Sequence, residues 1–337
     1  MAGDGIGPEK GSRTMYSRRW LIHTATITTA ALLMPRLANA DTFPTRPLRL
    51  VVGFPPGGPN DTLARLIAGW LGSRLGQPVA VENQPGNAGN IATAAVVRAA
   101  PDGHTLLLTG PANAISGSTP AKLDFVFLRD IAPVGGITRE PLVLLVHPSV
   151  TATTAAELIA YAKANPGKLR LAATGTWSSP HVTAELFRML TGISVELVQY
   201  GGGGPALKAL TAGDAQMMFE PMSAAIGLVR GGKLRALAVT TTMRSPVLPN
   251  VPPLADTVAG FEASAATGIG VPRGTPDEVV ARLNREINAA FADAAMRAKL
   301  LDTGGMVLPG SPAEFGRLLA DETEKWGKVV RFASQKR

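Results

Sequence analysis

The sequence contains no cysteine, few aromatic residues and few charged residues. Aromatic side chains make up 5% of its 337 residues, and charged side chains make up 17%. The lack of cysteine excludes a disulfide framework, a thiol nucleophile and a cysteine-based metal site. Basic residues do not cluster with aromatic ones, so the composition argues against nucleic acid as a partner.

Long apolar runs are also missing after residue 40. None approaches the roughly 20 residues that a membrane-spanning helix needs, so we expect a mature protein that is not membrane-inserted. The sequence does contain 45% hydrophobic residues, 37 glycines and 27 prolines, and its mean hydropathy is +0.15. This composition is typical of a globular α/β protein long enough for two lobes.

Residues 1–40 resemble a bacterial export signal. The pair Arg18-Arg19 is followed by a mildly apolar stretch at 24–37 and by an Ala-Asn-Ala triplet that ends at Ala40. We therefore expect a twin-arginine-like signal peptide, cleavage after Ala40 and a periplasmic protein. The alternative is an apolar N-terminal helix that belongs to the fold. Both Met1 and Met15 are open as start sites.

Four runs of β-forming residues end in a turn rich in glycine, proline or serine that opens into a helix. These turns lie at 51–58, 84–90, 174–179 and 201–205. A helix N-terminus presents unpaired N–H groups and a partial positive charge, so each turn can receive an anion. Four of them together indicate a cleft that holds small carboxylates with main-chain amides.

The order of elements favours parallel sheets. Strands are predicted at Arg49–Phe54, Pro78–Glu82 and Thr105–Leu108, with helices between them, and the same alternation recurs from Leu169 to Thr240. A further apolar strand is predicted at Pro141–Val146.

Helix starts are marked by capping patterns. A Thr or Ser followed three residues later by Glu marks helices after Thr154, Thr275 and Ser311. Asn60 or Asp61 can cap the helix after the first turn.

Seven segments together resemble the receptors of tripartite tricarboxylate transporters, also called Bug-type periplasmic binding proteins. They lie at 46–58, 81–86, 100–107, 175–181, 204–207, 217–220 and 232–239. Each segment alone is weak evidence for the family, but their combination at this spacing is specific. The resemblance covers residues 43–331.

The resemblance implies an α/β fold of the two-lobed type II periplasmic-binding-protein class. Each lobe would be a mostly parallel sheet flanked by helices, with two crossover strands as hinge, near Leu142–His147 and Ala263–Gly270. Lobe 1 would combine residues 41–145 with 268–337, and lobe 2 would be residues 146–267.

The resemblance also implies a function without chemistry on the ligand. A small carboxylate (a di- or tricarboxylate, an amino acid or an aromatic acid) would be held between the lobes by backbone amides and delivered to a membrane permease of the tripartite tricarboxylate type. We expect a monomer with no cofactor and no metal. The isolated His181 has no His or Cys neighbour at metal-ligand spacing.

Residues of two loops in lobe 1 and of the facing loops in lobe 2 are carried over as ligand-binding. They are Pro56, Gly57, Gly58, Pro59, Asp61, Pro85, Gly86, Asn87, Ala88, Gly89, Thr176, Trp177, Ser178, Ser179, His181, Tyr200, Gly202 and Glu220, with the loop at 110–113 as a weaker candidate.

This sequence departs from the family pattern at several of these positions. The family usually has Asp at Glu220, a small residue at Trp177, glycines at Asn87-Ala88, and aromatic residues where this chain has Ala266-Thr267.

Several of these residues have alternative roles. Asp61 can cap its helix instead of touching ligand. Trp177 can be an exposed loop aromatic or a stacking wall, and Ser178 and Ser179 can be caps, hydroxyl donors or both. Glu220 can be a general base, a partner for a ligand ammonium or a solvated cap.

The rival functional class is an NAD(P)-binding oxidoreductase. Residues 201–206 follow a predicted strand and fit G-x-G-x-x-A, and Glu220 lies about 20 residues further on. The short intervening helix and Pro205 in the turn argue against it. A third hypothesis, signalling by the loaded receptor to a membrane sensor, is compatible with binding.

Overall fold

The computed structural model describes residues 43–119 and 122–335. The predicted signal peptide and its cleavage site lie outside these residues. The described residues from 44 onward form one compact unit. In the described part of the chain, the helices are too short or too polar to cross a membrane.

Strands and helices alternate along most of the described chain. The strands, β1 to β10, are Leu48–Val52, Val79–Asn83, Thr105–Thr109, Ile131–Val146, Arg170–Thr174, Glu196–Tyr200, Met217–Pro221, Arg235–Val239, Ser264–Pro272 and Met306–Val307. The helices, α1 to α11, are Pro59–Leu75, Asn90–Val97, Pro111–Ser116, Phe127–Asp130, Ala155–Ala164, Ser179–Thr191, Gly203–Ala212, Met222–Arg230, Asp277–Ala292, Ala294–Asp302 and Pro312–Ser334. Short 3-10 turns lie at Asn87–Gly89 and Leu254–Asp256.

The strands form one path in the order β2-β1-β3-β9-β4-β7-β5-β6, and β8 and β10 also pair with β4. At one end β1 is parallel to β2 and β3, which confirms the predicted parallel βαβ order. At the other end β5 is parallel to β6 and β7. The two parallel groups are joined through β9 and β4, whose pairings are antiparallel.

Strand β4 is much longer than the predicted Pro141–Val146. Its first part, Ile131–Pro141, pairs with β9, and its second part, Leu142–Val146, pairs with β7. The first part was missed because Pro133 and the Gly135-Gly136 pair normally indicate a loop. Here the register shifts at these positions, so β-bulges absorb the irregularity.

Helix starts follow the predicted capping chemistry in part. The capping box of α11 is present, since the Ser311 hydroxyl accepts from the Glu314 N–H and Glu314 accepts from the Ser311 N–H. The predicted cap at Thr275 is wrong. Its hydroxyl donates to the Pro272 carbonyl instead, and α9 begins only after Pro276.

The core lies on both faces of the second part of β4. Leu142, Leu144 and Val146 face one apolar cluster, whereas Val143 and Leu145 face another, as the two-residue period of a strand requires. All five are fully buried, so this strand is held from both sides.

The terminal helix α11 contributes to the first of these clusters. Its Trp326 is fully buried there together with Phe187 of α6 and Phe219 of β7. Lys325 adds ion pairs to Glu262 (2.9 Å) and to Glu322 (2.6 Å). Helix α11 therefore contacts the sheet region that was assigned to lobe 2, although it lies in the segment assigned to lobe 1.

Candidate ligand-binding site

A cavity of about 440 Å³, the central cavity, lies where β4 and β9 connect the two parallel groups of strands. Its lining comes from strand ends and helix starts on both sides. The lining residues are Phe54, Pro59, Asn60, Ala88, Pro111, Ala112, Glu140, Gly175, Thr176, Trp177, Ser178, Ser179, Pro180, Glu220, Pro221, Ser223, Ala224, Ala265 and Thr267.

Two further cavities adjoin it. The loop cavity, of about 410 Å³, shares Ala88, Ala112, Thr176 and Trp177 with the central cavity; its other lining residues are Asn87, Asn90, Ile115, Ser116 and Thr119. The outer cavity, of about 480 Å³, is the largest and shares Pro59 and Ser223; it is also lined by Gly57, Thr62, Leu66, Lys299, Asp302 and Thr303. The central cavity is the candidate site because most of the predicted site residues that line any cavity meet there.

The two connecting strands supply one side of the central cavity. Glu140 of β4 lies directly opposite Ala265 of β9 in the ladder, and cross-strand partners share a face of the sheet. Alternation along β9 then places Ala265 and Thr267 at the cavity, while Ala266 is buried with 5% exposure. Of the Ala266-Thr267 pair noted in the sequence, Thr267 is therefore part of the site.

The first loop is organised by Asp61. Its Oδ2 accepts from the Gly57 N–H (2.8 Å) and from Arg65 Nε (2.9 Å), and its Oδ1 accepts from Asn83 Nδ2 (3.0 Å). The hydrogen bond from Arg65 is the main reason that the pKa of Asp61 falls to about 2. The helix N-cap is Gly58, so the predicted capping role is wrong in its detail.

Asp61 instead holds the loop ahead of α1. In the described structure its carboxylate does not line any of the three cavities. It is therefore a positioning residue, and it also occupies the Gly57 amide that was predicted to meet ligand.

The second loop packs against the end of β1. A Cβ on Gly53 would lie 2.6 Å from the Gly89 Cα, so the two backbones touch and neither loop can shift alone. Asn87 and Ala88 both have positive φ, at 47° and 52°. A left-handed conformation costs a residue with a Cβ about 1–2 kcal/mol, and such strain is typical of functional sites.

The third turn contains a further non-glycine residue in a strained backbone conformation. Among the described residues, Trp177 (φ 65°) is the one other non-glycine residue with positive φ, and it faces the same loop cavity as Asn87 and Ala88. Its N–H donates to His181 Nδ1 (3.3 Å), and the two rings meet edge to face. His181 is fully buried behind Trp177, so it supports the turn and does not line a cavity.

The two serines of this turn differ in role. The Ser178 hydroxyl caps α6 by accepting from the His181 N–H, and it donates to the Thr174 carbonyl. The Ser179 hydroxyl is buried and has no hydrogen-bond partner within residues 43–119 and 122–335. Ser179 is therefore the hydroxyl that the protein leaves available in the cavity.

Two carboxyl groups line the central cavity. Glu220 is 5% exposed, and burial, with a further contribution from the negative charge of Glu140, raises its pKa to about 7. Its Oε2 atom has no hydrogen-bond partner in the described chain. The Glu140 Oε1 atom accepts from the Ser223 N–H at the start of α8 (3.0 Å), yet burial still raises its pKa.

The fourth predicted turn lies behind Glu220. A Cβ on Gly203 would lie 2.5 Å from Glu220 Oε1, so the turn packs against that carboxylate. In the described structure Tyr200 and Gly202 line none of the three cavities. The Tyr200 carbonyl instead accepts from the Gly175 N–H and supports the third turn.

The predicted residues therefore divide into three sets. Those that line the central cavity are Pro59, Ala88, Thr176, Trp177, Ser178, Ser179 and Glu220. Those that line an adjoining cavity are Gly57 and Asn87. Those placed beside or behind the three cavities are Pro56, Gly58, Asp61, Pro85, Gly86, Gly89, His181, Tyr200 and Gly202.

The predicted site residues did not include Asn60, Glu140, Ser223, Ala224 and Ala265, which line the central cavity. Glu140 lies in the part of β4 that was not recognised as a strand, and Ser223 lies in the helix start after Glu220. Pro111 and Ala112 belong to the weaker candidate loop and do line the central cavity. A signal was available for α8, because Pro221 lies two residues after the predicted strand that ends at Phe219, and a proline can begin a helix.

The cavity combines helix N-termini with acidic side chains. Helices α1, α6 and α8 each begin at it, through Asn60, Ser179 and Ser223. Among the described residues that line it, none is Lys, Arg or His. The described chain also holds no group of three His, Cys, Asp or Glu residues placed to bind a metal ion. The main-chain N–H groups at these helix starts are therefore the source of partial positive charge in the described lining.

Comparison with known proteins places the chain in a family. The sequence profile described as "Tripartite tricarboxylate transporter family receptor" matches residues 63–334. Protein BugT of Bordetella pertussis (strain Tohama I) is 36% identical over 313 residues, which cover 92% of this chain and 95% of that protein.

Solved structures agree in fold. R. palustris Rpa4515 with adipate is 34% identical, with a TM-score of 0.75 over 87% of this chain and 98% of that one. MatC (Rpa3494) from Rhodopseudomonas palustris with bound malate is 33% identical, with a TM-score of 0.72 over 86% of this chain and 100% of that one. The oxidoreductase alternative is therefore wrong. The chain has the mixed α/β periplasmic-binding-protein fold and belongs to the tripartite tricarboxylate transporter receptors, a family of substrate-binding proteins and not of enzymes.

Proposed function

We propose that the protein captures a small carboxylate in the central cavity, in the periplasm, and delivers it to a membrane permease of the tripartite tricarboxylate type. Two of its structural relatives were solved with dicarboxylates, adipate and malate. The observation that carries the proposal is the meeting of helix N-termini in a cavity whose described lining has no basic side chain.

The charge balance supports main-chain recognition. The Ser223 N–H of α8 is already occupied by Glu140, which leaves the starts of α1 and α6. Each helix N-terminus carries about half an elementary positive charge, so two of them balance one carboxylate. The free Ser179 hydroxyl adds a donor beside α6. Asn60, Ala88 and Ser179 are therefore the residues expected to surround the carboxylate.

Capture would be followed by closure about β4 and β9. We propose that residues 41–145 with 268–337 move as one lobe and residues 146–267 as the other. Ligand oxygens that contact Asn60 and Ser179 together favour the closed arrangement, because such contacts exist only when the lobes meet. The permease would then recognise the closed form.

The test blocks the cavity without touching the core. Ala224 is exposed on α8 and lines the cavity, so Ala224→Trp should fill it. We expect calorimetric binding of adipate or malate to fall at least about 100-fold, with the melting temperature nearly unchanged. Ala160→Trp, on the exposed face of α5, is the matched control. Unchanged binding by Ala224→Trp would place the ligand elsewhere and overturn the proposal.

A further inference from the structure

We propose that Glu220 and Glu140 form a subsite for a positively charged group of the ligand, so that the preferred ligand is a carboxylate that also carries an ammonium group. This inference rests on the proposed function, because it assigns the second end of a ligand whose carboxylate binds at α1 and α6. The subsite lies at the start of α8 and lines the same cavity as Asn60 and Ser179.

The Glu220 carboxylate is not fully hydrogen-bonded within the described chain. Glu220 is 95% buried and lines the cavity, and its Oε2 has no partner among residues 43–119 and 122–335. A buried acceptor without a donor costs about 1–3 kcal/mol, more when it is charged. A ligand N–H group placed in the cavity removes this cost, whereas an apolar ligand end does not.

The charges near Glu220 are negative or already paired. The negative charge of Glu140 acts on the Glu220 carboxyl and contributes to its raised pKa. On β4 the adjacent Arg139 is directed to Glu262 (3.2 Å) and Ser264 (2.6 Å). On α6, His181 accepts from the Trp177 N–H through Nδ1.

The charges of these neighbouring groups favour a zwitterionic ligand over a plain dicarboxylate. Two carboxyls without a basic side chain in the described lining repel a second ligand carboxylate and attract a cation. Trp177 and Phe54 line the same cavity, and aromatic rings also attract ammonium groups. A zwitterionic ligand matches both the helix N-termini and the two carboxyl groups, whereas a plain dicarboxylate requires Glu220 to be protonated.

The protonated form is the competing explanation. Because burial raises the pKa of Glu220 to about 7, a neutral Glu220 can donate a hydrogen bond to a carboxylate below that pH. Dicarboxylate affinity would then fall as the pH rises from 6 to 8. An ammonium ligand behaves oppositely, since ionised Glu220 is the form that attracts it.

The experiment compares adipate with 6-aminohexanoate and 2-aminoadipate by calorimetry at pH 6 and pH 8. We expect at least one of the two amino compounds to bind about tenfold or more tightly than adipate at pH 8. Glu220→Gln should weaken that amino compound about tenfold and leave adipate unchanged or tighter. Glu185→Gln, in an equally buried residue of α6 outside the cavities, should alter neither.

Each outcome is decisive. Adipate binding more tightly at both pH values, and weakening from pH 6 to pH 8, overturns the ammonium subsite while it leaves the proposed function intact. Binding of none of the three compounds by the wild-type protein speaks against the proposed function itself. The wild-type comparison needs no variant, so the inference is testable even if Glu220→Gln fails to fold.

Discussion

The loop that enters α1 and the turn that enters α6 both line the central cavity, one from each parallel group of strands, but their polar groups are satisfied differently. In the first, Asp61 accepts from Gly57, Arg65 and Asn83. In the second, the Ser179 hydroxyl has no partner in the described chain. This difference indicates that Asp61 fixes the conformation of the first loop. The turn that enters α6 completes its hydrogen bonds only when ligand binds.

Removing the anchor should have the largest effect. Asp61→Ala deletes the acceptor for the Gly57 N–H and for Arg65, so the first loop loses its conformation. We expect the affinity for whichever of adipate, 6-aminohexanoate and 2-aminoadipate binds the wild-type protein most tightly to fall by about 100-fold or more, and the melting temperature to fall by several degrees. Arg46→Ala, which removes an exposed ion pair to Asp102, is the control and should change neither.

The same variant has a predictable pH dependence. A carboxyl whose folded pKa is depressed stabilises the protein fully above its unfolded pKa, near 4, and loses that contribution as the pH falls toward its folded value of about 2. Urea unfolding at pH 5 and pH 3 should therefore show a larger loss of stability in the wild type than in Asp61→Ala. Equal losses would contradict the role of this carboxylate.

Substitutions of Ser178 and Ser179 should have effects of intermediate size on binding and stability. Ser179→Ala should weaken binding by about 10-fold, the value of one hydrogen bond to a charged group, without lowering the free energy of unfolding. Ser178→Ala should leave binding unchanged and lower the free energy of unfolding. It removes the cap of α6, which is worth about 1 kcal/mol, but it does not remove a free hydroxyl. Calorimetry and urea unfolding measure the two effects. If both variants changed binding and stability equally, the proposed difference between the two serines would be wrong.

Backbone strain in the second loop should give the smallest effect. Ala88 is exposed and has a φ of 52°, so Ala88→Gly should raise the free energy of unfolding by about 1 kcal/mol. Ala160→Gly, at an exposed position inside α5, should lower it by about 1 kcal/mol. A loss of stability in both variants would show that the loop conformation is not strained.

Much of the fold was predictable because it depends on local patterns. The parallel pairing of β1 with β2 and β3 follows from apolar strands separated by helices, and the cap at Ser311 follows from its spacing to Glu314. The first part of β4 was not predictable in this way. Its Pro133 and Gly135 are tolerated only because bulges in the pairing with β9 accommodate them.

The candidate site was predictable to a similar extent. The turns at Pro59, Ala88 and Thr176 follow strands, and the carboxyl ends of parallel strands meet at one edge of a sheet. Glycine content was a poorer guide: the turn around Gly202 has the most glycines of the four, yet it packs behind Glu220.

The amino-acid sequence by itself determined most of the strands and helices and which turns can present free amides, because these depend on residues a few positions apart. Tertiary structure decided which of those amides are free, since Asp61 occupies the Gly57 N–H and Glu140 occupies that of Ser223. It also decided that Glu140 and Glu220 face one cavity. The physical reason is that burial and charge proximity arise from the pairing of β4 with β7 and β9, strands distant in the chain, and no local pattern records that pairing.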